Sequence, residues 1–157
     1  MSYLAPDHQP NLLTIFEVKK EAEKLVIHKD LLLSIIENDP KLTKSLWVLK
    51  ASTLSLRLND LNYKSTVFLY SDEYMPQISD FTDIENCMEF IQAYTLPIVV
   101  SFDDLKKCNG CMVKTNNPKR DMYVLYKNSK VYINGVVYNV VKSIKGDNGY
   151  IHVLGKQ

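Results

Sequence analysis

The stretch VYINGVVYNVVKSIKGDNGYIHVLGK, residues 131–156, decides the fold, because two turn signals separate runs that are rich in β-branched and aromatic residues. Asn134-Gly135 joins two of these runs and predicts a type I′ hairpin, in which both central residues need a positive φ. Asn148-Gly149 supplies a second turn before a last apolar strand. Further β-rich runs begin near residue 112. The C-terminal part of the chain is therefore predicted to form an antiparallel meander of strands.

Helical patterns dominate the chain before residue 111. Apolar side chains recur there at helical spacing, and Asp, Pro or Ser residues stand where helices are expected to begin. Helices are predicted over residues 31–38, 40–50, 54–61 and 72–78, after Asp83, and after a capping box of Ser101 and Asp104. A strand is predicted over residues 64–70. Helices followed by a strand meander indicate an α+β fold.

The composition excludes some classes of protein and disfavours others. The 157 residues carry a net charge of +1, without the basic surplus typical of nucleic-acid binding, so no nucleic-acid partner is expected. No run approaches the roughly 20 apolar residues of a transmembrane helix. The N-terminus lacks a basic segment followed by an apolar core, so it does not resemble a signal peptide. We expect intracellular synthesis and a place in a virion or a cytoplasmic assembly, or an extracellular location if a leader was removed.

Two motifs, in order and at the right spacing, carry a resemblance to a known family. The segment TVFLYSDEY, residues 66–74, lies near the first third of the candidate domain, and NGYIHVL, residues 148–154, closes it after Ile133-Asn134-Gly135. Together they resemble the fasciclin-like domain family over about four-fifths of the chain. The resemblance implies an α+β fold in which N-terminal helices pack on a C-terminal antiparallel β meander, forming a small sandwich or wedge. It also implies that His152 is a structural residue near the core.

The resemblance divides the chain into two parts. It begins near Asp30, so we assign residues 1–28 to an N-terminal arm and helix, and residues 29–157 to a fasciclin-like domain. Residues 11–29 carry an apolar stripe at helical spacing, which predicts an amphipathic helix. This helix packs either on its own domain or on a neighbouring subunit. The first ten residues contain Pro6 and Pro10 and are expected to reach outward, which makes Tyr3 and Leu4 candidate partner contacts.

The departures from the family pattern bear on function. Many members carry a Tyr-His pair implicated in adhesion, where this chain has Tyr94-Thr95. Some adhesive members carry an Asp-Ile pair linked to integrin binding, where this chain has Ser143-Ile144. The fold therefore carries over better than the adhesive role. Candidate partner-binding residues at the corresponding place are Tyr94, Thr95, Leu96 and Pro97.

One pair of cysteines has the spacing of a reactive motif. Cys108-Asn109-Gly110-Cys111 is a CxxC, which can form a redox pair or half of a zinc site. No second CxxC or HxxxH accompanies it, and three cysteines do not make a closed disulfide framework. Reduced thiols are the favoured interpretation, with a disulfide or metal binding as alternatives. No nucleophile motif or phosphate-binding loop is present. We predict no enzyme, no cofactor and no metal site.

Three functions remain in competition. The favoured one is a non-enzymatic protein–protein interaction module that serves as a structural component of a larger assembly, including a minor capsid or other virion protein. The alternative is an extracellular fasciclin-type cell-adhesion domain. A second alternative is a small thiol or metal-dependent enzyme that uses Cys108 and Cys111.

Overall fold

A computed structural model describes residues 24–75 and 84–156. The described residues form five α-helices, one short 3₁₀ helix and eight strands. The helices are α1 Leu32–Glu37, α2 Thr43–Lys50, α3 Leu54–Leu58, α4 Ile84–Ala93 and α5 Phe102–Lys106, and the 3₁₀ helix is Asp72–Tyr74. The strands are β1 Leu25–Ile27, β2 Ser65–Tyr70, β3 Thr95–Leu96, β4 Asn109–Lys114, β5 Asp121–Lys127, β6 Lys130–Ile133, β7 Val136–Gly146 and β8 Gly149–Gly155. The predicted α+β class is confirmed.

All eight strands of the described chain belong to one open sheet with the order β3-β2-β8-β7-β6-β5-β4, and β1 pairs with β7 outside this path. The predicted antiparallel meander is present from β4 to β8. Two parallel pairs, β2 with β8 and β1 with β7, are added to it by strands from the N-terminal half. The sheet curves enough for its two ends to approach, since the amide of Asn116 after β4 donates to the carbonyl of Thr95 on β3 at 2.8 Å.

Strand β2 is the most deeply buried strand, because all six of its residues are buried. A parallel strand covered on both faces is expected to be apolar throughout, and the run STVFLY comes close to that pattern. Its parallel register with β8 places Phe68 beside His152 and Tyr70 beside Leu154. The two motifs that carry the family resemblance are therefore neighbouring parallel strands of the sheet.

The Asn134-Gly135 turn has the predicted geometry. Asn134 has φ +52° and Gly135 has φ +85°, as a type I′ turn between β6 and β7 requires. A second two-residue turn, Asn128-Ser129, connects β5 to β6 with φ values of +54° and +60°. Both hairpins therefore close through local turn chemistry.

Helix starts agree with the prediction only in part. The capping box of Ser101 and Asp104 is present at α5. Ser71 was expected to cap a helix over residues 72–78, but its side chain makes no cap bond, and the described part of that segment is a single 3₁₀ turn. Asp72 instead accepts hydrogen bonds from the amides of Thr43 and Lys44, at 3.2 and 2.9 Å, and so caps α2 from a distant part of the chain.

Two more helix predictions need correction in their bounds. Helix α2 begins at Thr43, three residues after Pro40, and α3 ends at Leu58 rather than at residue 61. Asp30 was expected to cap α1, but Leu31 holds the cap position. The amide of Leu32 at the start of α1 donates to the side chain of Asn148, so a long-range partner replaces the local one.

The helix predicted over residues 11–29 is wrong at its C-terminal end. Leu25–Ile27 form strand β1, which pairs in parallel with residues 143–145 of β7. The amide of Ser143 donates to Lys24 at 2.8 Å, and the amide of His28 donates to Lys145 at 2.9 Å. Tertiary pairing overrides the helical periodicity here. The remainder of that helix lies outside the described residues, and the division at residue 28 stays a prediction, although β1 already belongs to the sheet.

Candidate functional site

The predicted partner segment lies at one edge of the sheet and is only partly accessible. Thr95 and Leu96 are buried in β3, Tyr94 is half-buried, and Pro97 is exposed. The chain then continues with Ile98 and Val99, whose side chains are 49% and 44% exposed. The accessible part of this region is therefore the run of three apolar residues 97–99, called here the apolar loop. Tyr3 and Leu4, the other predicted contacts, lie outside the described residues.

Side chains of β2 and β8 hold the backbone of the apolar loop in place by hydrogen bonds. The hydroxyl of Thr66 on β2 donates to the carbonyl of Ile98 at 2.8 Å and accepts from the amide of Val100 at 2.7 Å. His152 Nε2 on β8 lies 2.8 Å from the carbonyl oxygen of Val100. Three hydrogen bonds thus fix a segment without regular secondary structure, and its apolar side chains are presented on a defined backbone.

These contacts determine the protonation state of His152. Because a carbonyl oxygen only accepts, Nε2 must donate to Val100, which leaves Nδ1 to accept from the hydroxyl of Ser143 at 2.7 Å. The imidazole is fully buried, and burial lowers its pKa from 6.5 to about 4. His152 is therefore neutral at neutral pH with both ring nitrogens bonded, in agreement with the structural role that the sequence implied.

Ser143 occupies the place where some adhesive members carry a carboxylate. It is fully buried on β7, where it is bonded to His152. Ile144, the second residue of the pair, is also buried. Neither side chain reaches the surface, so this position presents no group to a partner.

A cluster of tyrosines lies on the other side of Tyr94. The hydroxyls of Tyr70 and Tyr138 are 2.9 Å apart, and the ring of Tyr70 meets those of Tyr94 and Tyr138 edge-on, with centroids 5.7 and 5.5 Å apart. Burial raises the pKa of Tyr70 and that of Tyr94 above their ordinary value, so both phenols stay protonated. Tyr70 and Tyr138 line a cleft of about 550 Å³ together with Glu73, Tyr74, Met75, Val137, Gly155 and Lys156.

Sequence analysis did not find this cleft. Its residues come from β2, the 3₁₀ helix, β7 and the end of β8, and no local pattern connects these four segments. The chain contains 10 tyrosines, a residue type common at contact surfaces, but this number does not locate a surface. Tyr94 is the predicted site residue that touches the cluster.

No disulfide joins the three cysteines, all of which lie in the described residues; Cys87 is buried and the other two are partly exposed. No group of three or more potential metal ligands occurs in residues 24–75 and 84–156. Within the same residues, no helix is both long enough and apolar enough to cross a bilayer.

Comparison with known proteins identifies the fold. The chain is similar to a FAS1 domain pair from the insect cell adhesion molecule fasciclin I, with a TM-score of 0.65 and 17% sequence identity. The match covers 80% of this chain and 49% of the fasciclin I chain, so the protein spans about half the length of that domain pair. Neither a protein-family model nor a curated protein matches the sequence. The chain therefore has a fasciclin-like fold.

Proposed function

We propose that this chain is a non-enzymatic protein–protein interaction module and that the apolar loop, residues 97–99, is its contact surface. The proposal depends on one observation: the side chains of this loop are exposed, while its backbone is held by hydrogen bonds. Ile98 and Val99 are about half exposed, yet the backbone around them is bonded to Thr66 and His152. A surface that is ordered before binding loses less conformational entropy when a partner covers it.

The chemistry of the loop favours an apolar partner surface. Pro97, Ile98 and Val99 are consecutive, and none of them carries a charge. Apolar residues that desolvate at the centre of an interface supply most of its binding energy, while polar residues form the rim. The neighbouring Tyr94 is half-buried, with its hydroxyl held among other tyrosines.

The proposal includes a place in a larger assembly. A module of this kind acts as a structural component, for example as a minor capsid or other virion protein, and the first ten residues, with Tyr3 and Leu4, supply a second contact. Support comes from the absence of a basic surplus and from the polar, proline-punctuated sequence of the first ten residues. A cytoplasmic or virion location belongs to this proposal.

An extracellular adhesion domain is the second candidate, and the likeness to the domain pair of a cell adhesion molecule favours it. The buried Ser143 argues against a carboxylate-dependent receptor contact at that position. An adhesive role would then also have to use another surface, and the apolar loop is available for it. The two candidates differ in where the chain is found in its native source.

The non-enzymatic part of the proposal is supported by two groups that would be natural catalysts. His152 has both ring nitrogens engaged and its pKa lowered to about 4, so it is a poor general base. Burial raises the pKa of the Cys108 thiol to about 12, so little of its reactive thiolate is present at neutral pH.

Site-specific photo-crosslinking tests the contact surface. A benzophenone amino acid is placed at Ile98 in the full tagged chain, which is expressed in its native source, and the crosslinked proteins are identified by mass spectrometry. The matched control carries the same group at Val136, which is 52% exposed at the start of β7. We expect a discrete crosslinked partner from position 98 and none from position 136.

The distribution of the partner then separates the candidates. A partner within a purified particle or a cytoplasmic complex supports the assembly, and a partner exposed on the cell surface supports adhesion. Equal crosslinking from both positions, or crosslinking from neither, would contradict the proposed surface.

A further inference from the structure

The CxxC segment contains a β-bulge that changes the direction of its side chains. In the pairing of β4 with β5, Asn109 lies opposite Leu125 and Cys111 lies opposite Val124, so the register shifts across Gly110. Gly110 has φ +82°. In a regular strand, residues three positions apart point to opposite faces. A bulge with an αL glycine inserts one extra residue, which lets Cys108 and Cys111 face the same side.

The bulge brings the two thiols close enough to affect each other. After burial, the neighbouring Cys111 side chain contributes to raising the pKa of Cys108 to about 12. The thiol of Cys108 also lies 3.5 Å from the carbonyl oxygen of Asp104 on α5. A Cβ at position 110 would lie 2.6 Å from the hydroxyl of Tyr123, so the packing of this ring on the bulge favours glycine there.

We propose that Cys108 and Cys111 are a redox-active dithiol that closes to an intramolecular disulfide on reaction with a small-molecule disulfide. The proposal goes beyond the interaction function, because the cysteine pair lies at the junction of α5 and β4, outside the apolar loop. Cys87 takes no part, since it is buried in the core. The cysteine pair lies in the four-residue segment that joins the end of α5 to β4 at the edge of the sheet.

The reaction proceeds by two thiol–disulfide exchanges. Cys111 supplies the first thiolate, because burial raises the pKa of Cys108 to about 12 and keeps that thiol protonated. The Cys111 sulfur attacks one sulfur of the small disulfide, whose S–S bond breaks, giving a mixed disulfide and one released thiolate. Cys108 then loses its proton to solvent, and its sulfur attacks the Cys111 sulfur, releasing the second thiolate. Two electrons pass from the protein to the small disulfide, which becomes two thiols once both leaving groups take up protons.

Oxidation in glutathione buffers tests the proposal. The full chain is equilibrated with reduced and oxidised glutathione in varied ratios and quenched in acid. Free thiols are then blocked with N-ethylmaleimide, and the peptides are analysed by mass spectrometry. We expect the Cys108–Cys111 disulfide to dominate at high oxidised glutathione while Cys87 stays a thiol. The single variants Cys108→Ser and Cys111→Ser are the controls, with circular dichroism to verify that each is folded.

The single variants report on ring closure. In Cys108→Ser the mixed disulfide at Cys111 has no resolving thiol and should persist, at a level on the order of tenfold above the wild type. The double variant with both cysteines replaced by serine should still unfold cooperatively. Persistent mixed disulfides in the wild type, disulfides between chains, or thiols that stay reduced in excess oxidised glutathione would overturn the proposal.

Discussion

Strands β2 and β8 are held by residues far away in sequence, whereas the β5–β6–β7 hairpins are held by their own turns. Asn148, just before β8, accepts from the amide of Leu32 at 2.9 Å and donates to the carbonyls of Leu58 and Asp60, both at 3.0 Å. In the hairpins, Asn134 and Gly135 provide the turn, and the Asn134 side chain accepts from the amide of Tyr123.

The difference determines which part of the molecule carries the candidate site. The two groups that fix the apolar loop, Thr66 and His152, belong to β2 and β8. The β5–β6–β7 hairpins make none of these bonds. A substitution that disturbs β2 or β8 is therefore expected to reduce both stability and partner binding, and one in the hairpin turns is expected to reduce stability alone.

Gly149→Ala should have the largest effect on this comparison. Gly149 has φ +146°, and an added Cβ would fall inside the carbonyl group of Ser65 on the neighbouring strand. Because backbone must move, we expect a loss of more than about 4 kcal/mol in the free energy of unfolding, measured by urea denaturation, or no folded protein. Gly135→Ala, at φ +85° with nothing within 4 Å, should cost about 1 kcal/mol. Equal losses of unfolding free energy for Gly149→Ala and Gly135→Ala would contradict the difference expected between the two regions.

Asn148→Ala should come next. The substitution leaves a buried amide at Leu32 and two carbonyls without their partner, so we expect a loss of roughly 3–4 kcal/mol by the same measurement. Asn134→Ala removes one bond at an exposed turn and should cost about 1 kcal/mol. If Asn148→Ala is no less stable than Asn134→Ala, the long-range contacts contribute little to stability.

Acid should lower the free energy of unfolding through His152 on β8. The pKa falls from 6.5 in the unfolded chain to about 4 in the folded one, so the folded state takes up a proton later as pH falls. Its contribution is complete above pH 6.5 and is lost between pH 6.5 and 4, amounting to about 3 kcal/mol. The measurement is urea denaturation across this pH range. His152→Gln should flatten the slope, while the exposed control His28→Gln should leave it unchanged.

Gly135→Val should have a smaller effect than the losses expected at Gly149, Asn148 and His152. A β-branched residue at φ +85° is strained, but there is open space around it, so we expect a loss of about 1–2 kcal/mol. Partner association, measured by co-purification, should fall only in proportion to the loss of folded protein. A fully stable variant that no longer binds would mean that this turn is itself a contact site.

The comparison also explains how far sequence analysis could reach. The hairpin at Asn134-Gly135, the capping box at Ser101 and the strand over residues 64–70 depend on neighbouring residues, and each was predicted. The parallel pairing of β1, the capping of α2 by Asp72 and the tyrosine cleft depend on which distant segments become neighbours. The family resemblance placed β2 and β8 in one fold, but it did not show that Thr66 and His152 fix residues 97–99.

Co-purification of charge variants tests the central claim that the apolar loop is the contact surface. Val99→Asp places a carboxylate in the loop, and Val136→Asp makes the same change at a comparably exposed valine elsewhere. Both positions are exposed, so their melting temperatures should stay close to each other. We predict that Val99→Asp lowers partner recovery by about tenfold or more, because the interface must desolvate a charge, and that Val136→Asp leaves recovery near the wild-type level. Undiminished recovery with a folded Val99→Asp variant would contradict the account.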